Sequence, residues 1–61
     1  MEKLITKTRT YSTSQILDAV KLIGGGSVSA ELTLVRAALI EVFKERNGDD
    51  AADALMDDLG M

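Results

Sequence analysis

Sixty-one residues without a single Cys or His exclude disulfide staples, thiolate metal sites and the imidazole that most often serves as general base or zinc ligand. A chain of this length makes one domain, residues 1–61, whose core yields roughly 3–5 kcal/mol, so self-association is the reinforcement left open. The net charge of −3 is unevenly spread: residues 1–46 hold all seven Lys and Arg against five acids, while residues 47–61 hold five Asp and no base, which makes the front the basic part.

Apolar residues make up 46% of the chain, with Tyr11 and Phe43 the only aromatics. The expected core is therefore aliphatic and mainly helical. The longest apolar run, residues 37–40, is far short of a membrane span, and the first residues contain no signal-type apolar segment. The reading is a cytoplasmic protein with no membrane partner.

In chain order, residues 4–11 come first. Thr6, Thr8, Thr10 and Tyr11 favour strand, and alternation sets Lys7 and Arg9 on one face with the threonines on the other. The expectation is a short strand or an ordered basic arm over residues 1–11. Ser12 and Gln15 then have capping-box spacing, with Tyr11 and Ile16 at the positions of a hydrophobic staple. They predict a first helix from residue 13 to about 23, burying Ile16, Leu17, Val20 and Ile23. Gly24, Gly25 and Gly26 end it in a flexible turn.

A second helix is expected from Ser27 or Ser29 to about residue 46, completing a helical hairpin over residues 12–46. Its face carries Leu32, Val35, Leu39, Val42 and Phe43, and Leu34, Ala38 and Ile40 widen it. That arc is broader than one short helix can cover, which points to a dimer core shared with a second copy, or to another partner. Asn47 and Gly48 end this helix. Asp49 or Asp50 is placed to cap a third, acidic helix reaching about residue 59, with Ala52, Leu55, Met56 and Leu59 as its apolar stripe. Asp57 and Asp58 fall at the unfavourable end of its dipole, where a basic partner would suit them.

Three constellations bear on chemistry. The glycine triplet lacks the Lys-Ser or Lys-Thr pair of a phosphate loop and the spacing of a dinucleotide fingerprint; the amides at the start of the second helix could hold a phosphate oxygen, or the segment is a capped turn. The aspartates lack the order of a calcium loop and read as a solvated stripe, so no metal site is expected. Lys3, Lys7 and Arg9 among threonines suit phosphate and base-edge contact, or else mark an ordinary edge strand. No nucleophile stands beside a base. No catalytic residue and no cofactor is expected.

The run of Lys7 and Arg9, then YSTSQILDAVKLI, then glycine, then SVSAEL and VRAALIEVF, resembles the ribbon-helix-helix family of small dimeric repressors over about residues 3–46. The resemblance implies two strands paired across a twofold axis in the DNA major groove. It makes Lys7 and Arg9 base-facing, or Thr6, Thr8 and Thr10 in the shifted register. Gly26, Ser27 and Ser29 would then grip a phosphate, with Leu32, Val35, Leu39 and Phe43 in the dimer core. A second stretch, VFKERNGDDAADALM, resembles the last two helices of a ubiquitin-associated three-helix module.

Two functions are thus expected. One is a non-enzymatic, dimeric DNA-binding regulator that uses Lys3, Lys7, Thr8 and Arg9. The other is a small helical module that binds a protein through an uncovered apolar face, with Leu34, Leu55 and Met56 suited to a groove, or through the acidic third helix.

Overall fold

The computed structural model describes residues 2–61, which form four helices: α1 (Glu2–Thr8), α2 (Thr13–Ile23), α3 (Ala30–Asn47) and α4 (Asp49–Asp58). There is no strand among the described residues.

The first helix stands where the residue types predict a strand or arm, and packing explains the correction. Leu4, Ile5 and Thr8 share the inward side; Thr8 is buried, and Ile5 packs against the core. A lone strand would leave its backbone groups without partners, whereas the helix pairs them internally. The threonines adapt by bonding back along the chain. Thr6 Oγ1 donates to the Glu2 carbonyl at 3.0 Å and Thr8 Oγ1 to that of Leu4 at 2.6 Å. Seven residues are too few for a free helix; α1 exists because it is docked on α3.

The predicted bounds of α2 match the structure, since both ends are set locally. The Gln15 amide donates to Ser12 Oγ at 3.1 Å, and the Ser12 amide donates to Gln15 Oε1 at 2.8 Å. Tyr11 packs on the cluster that contains Ile16. At the other end Gly24 takes a φ of 74° while its N–H reaches the Val20 carbonyl, a backbone setting open to glycine at little cost.

Of the two serines offered for the next helix, Ser29 is the cap, accepting from the Leu32 amide at 3.2 Å. Gly48, with a φ of 91°, ends α3 and at once precedes α4. Asp49 and Asp50 therefore lie in the first turn of α4 instead of capping it. There they face the positive end of the helix dipole.

The longest helix, α3, is the spine, packed by α1, α2 and α4. The core unites Ile16 and Val20 with Leu39, Val42 and Phe43 and with Ala52 and Leu55. No buried side-chain nitrogen or oxygen among the described residues lacks a hydrogen-bond partner. Arg36 Nη1 donates to the carbonyls of Gly24 at 2.8 Å and Gly26 at 2.9 Å, which ties the end of α2 to the second helical turn of the spine. Gly25 lies against the carbonyl of Leu59, so α4 folds back along α3 and ends at the same level. Residues 30–34 of α3 run past that level and are exposed on every side. The first turns of α3 form an overhang.

Candidate interaction surfaces

Lys3, Thr6 and Lys7 of α1, with Glu2 and with Thr10 from the turn that follows, line an open, solvent-facing depression. Helical spacing of three and four residues brings these α1 side chains to one face. Of the other two residues expected at nucleic acid, Thr8 is buried and Arg9 is half-exposed in a surface ion pair. Thr8 is 5% exposed with its hydroxyl on Leu4. Arg9 makes a two-point contact with Glu45, from Nη2 to Oε1 at 2.7 Å and from Nε to Oε2 at 3.2 Å. These hydrogen bonds, with the charges of Arg9 and Arg46, hold the Glu45 carboxyl below the usual carboxylate range, and Glu45 raises the Arg9 guanidinium in turn. Arg46 Nη2 closes the clasp by donating to the Arg9 carbonyl at 2.8 Å.

The glycine turn is tied down in a similar way. The Gly26 carbonyl is held by Arg36, the Ser29 hydroxyl is used as the α3 cap, and Ser27 is exposed. Composition signals neither Arg36 nor Glu45 as special. Each finds its partner across the fold, at a separation of 10 to 12 residues for Arg36 and 36 for Glu45.

The residues expected in a dimer core divide into two groups. Leu39, Val42 and Phe43 lie in the protomer's own core, and Val35 is half-buried against it. Leu32, on the overhang, is 43% exposed, and Leu34, two positions on and so on the opposite side of the helix, is 49% exposed. Leu22, next to last in α2, is 88% exposed. It falls off the stripe of Ile16, Val20 and Ile23, which is the signal in the sequence that it points outward.

A second surface runs between α3 and α4. Ile40, Glu41 and Lys44 line one wall; Asp49, Ala52, Asp53 and Met56 line the other, enclosing a groove of about 370 Å³. Ala52 is buried and makes the floor, with Ile40 and Met56 half-buried. Leu55, expected in a groove, belongs to the core instead. Lys44 Nζ lies 3.5 Å from Asp49 Oδ1. Asp50, Asp57 and Asp58 are exposed. Among the described residues no three acidic side chains converge closely enough to hold a metal ion, and no helix is long and apolar enough to cross a membrane.

No protein-family model, curated protein or solved structure matches the chain.

Proposed function

We propose that this chain is a small, non-enzymatic helical interaction module that self-associates through the α3 overhang. The observation that carries this reading is that Leu22 on α2 and Leu32 and Leu34 in the first turns of α3 are left uncovered by the rest of the chain. Burial of a leucine side chain stabilises by about 1.5–3 kcal/mol, and a domain with neither disulfide nor metal ligands of the Cys and His type gains most from that source. A second copy suits the surface because exposed Lys21 precedes Leu22 and exposed Glu31 precedes Leu32, charges of opposite sign. In a twofold contact each can meet the other's counterpart. The absence of His and Cys from the chain and the shallow relief of a molecule measuring 25 × 25 × 16 Å favour binding over catalysis.

The DNA-binding reading draws on Lys3, Lys7 and the half-exposed Arg9, with Thr8 buried and so out of reach of a nucleic acid. Sedimentation equilibrium over a protein concentration series tests the self-association. The expected result is a dimer that becomes a monomer in the Leu22→Ser, Leu32→Ser double variant, with the far-UV spectrum unchanged. A monomer at every concentration overturns the reading. Titration of a labelled random-sequence duplex across a salt series runs beside it; saturable binding that weakens steeply with salt would restore the nucleic-acid reading.

A further inference from the structure

We infer that the groove between α3 and α4 is a docking site for a basic, amphipathic helical segment of a protein partner. This rests on the reading of the chain as an interaction module, and it uses a surface separate from the overhang.

The groove has the two features that such a segment requires. Its apolar part is supplied by Ile40 and Met56, each of which leaves part of its surface open to the groove, with Ala52 covered beneath them. Methionine at such a position adapts its shape to different apolar partners. The walls come from two antiparallel neighbours joined through Gly48, a setting into which a third helix can lay one face. Apolar side chains recurring every three or four residues along the incoming helix would meet Ile40 and Met56 in turn.

The rim determines the sign of the partner. Glu41 projects from α3 and Asp53 from α4, both exposed. Neither has a Lys or Arg within ion-pair distance among the described residues. Lys44, the one cation on the rim, already lies 3.5 Å from Asp49. Carboxylates on opposite walls therefore await cations from outside the chain. Long Lys and Arg side chains, which extend past an apolar surface to place their charge at its edge, can reach both walls. Asp50, Asp57 and Asp58 are exposed on α4 outside the groove lining, where their charge repels nucleic acid and anionic lipid.

The test uses two synthetic probes. One is a fluorescein-labelled 16-residue helical peptide with Leu and Ala on one face and Lys on the other; the second is the same peptide with Glu in place of Lys. Anisotropy titrations against the full chain are followed by amide chemical-shift mapping. The Lys peptide should bind saturably, with shifts centred on Ile40, Glu41, Asp53 and Met56. The Glu peptide should not bind. Glu41→Lys with Asp53→Lys should weaken the Lys peptide at least tenfold. Asp50→Lys with Asp58→Lys, which changes net charge equally outside the groove, should weaken it no more than threefold. Equal losses in both double variants, or shifts spread along the whole of α4, would reduce the effect to general charge attraction and overturn the groove. Sedimentation of the same variants separates the two claims: an intact dimer without peptide binding removes the groove alone, and a monomer that binds peptide removes the overhang contact alone.

Discussion

Arg9 and Glu45 grip each other by two hydrogen bonds of 2.7 and 3.2 Å, although 36 positions separate them in the chain. One residue follows α1 directly and the other lies in the last turns of α3, so the clasp fastens the N-terminal helix to the spine. The reverse bond from Arg46 to the Arg9 carbonyl binds the same junction a second time. An arginine that the residue pattern offers to a ligand is thereby part of the fold.

Glu45 yields a prediction with a definite sign. Its carboxyl titrates below the ordinary range because Arg9 bonds to the charged form. The clasp therefore contributes fully above the unfolded carboxylate value of about 4.3 and is lost as pH falls through the lower folded value. Glu45→Gln should lower the urea midpoint at pH 7, and the gap from the unmodified chain should close in strong acid, once both side chains are uncharged. A gap of constant size across that pH range would show that the charge of Glu45 is irrelevant to the docking of α1.

Gly25 and Gly26 should respond in opposite ways to alanine. A Cβ on Gly25 would collide with the carbonyl of Leu59, a backbone group that cannot swing aside, and such overpacking costs about 1–3 kcal/mol. A Cβ on Gly26 meets nothing within 4 Å, and that residue does not adopt a positive φ. Gly26→Ala should stabilise by about 0.4–1 kcal/mol through the unfolded chain. Urea midpoints of the two variants decide the matter. The same shift in both would mean that the glycine turn does not pack on the end of α4.

Leu39 and Leu22 mark the contrast between core and surface. Leu39 is 2% exposed, and its truncation to alanine costs about 2–5 kcal/mol, comparable to the roughly 3–5 kcal/mol that a core of this size supplies. Leu39→Ala should therefore lose most of its helical signal at 25 °C. Leu22→Ala, measured at a dilution where the chain is monomeric, should stay within about 0.5 kcal/mol of the unmodified chain. A large loss from Leu22→Ala under those conditions would mean that the end of α2 is covered within the monomer.

Local chemistry alone determined the middle of this protein. The capping pair Ser12 and Gln15 and the stop at Gly24 bound α2 at the expected residues because each acts within one helical turn. The buried stripes of α2 and α4, and that of α3 from Val35 onward but not at Leu32, were legible for the same reason. The tertiary structure decided the rest. Residues 2–8 carry strand-favouring threonines, yet they became helix because Ile5 and Thr8 could be buried against the spine and no neighbouring strand was present to pair with. The broad apolar arc of α3 announced more surface than α2 could cover. Which leucines stay open depended on where α1 and α4 came to rest: over Leu39, Val42 and Phe43, and short of Leu32 and Leu34. The contacts behind that outcome, Arg9 with Glu45 and Gly25 with Leu59, join residues more than thirty positions apart. Periodicity reads only the few residues of one helical turn, so it carries no trace of them.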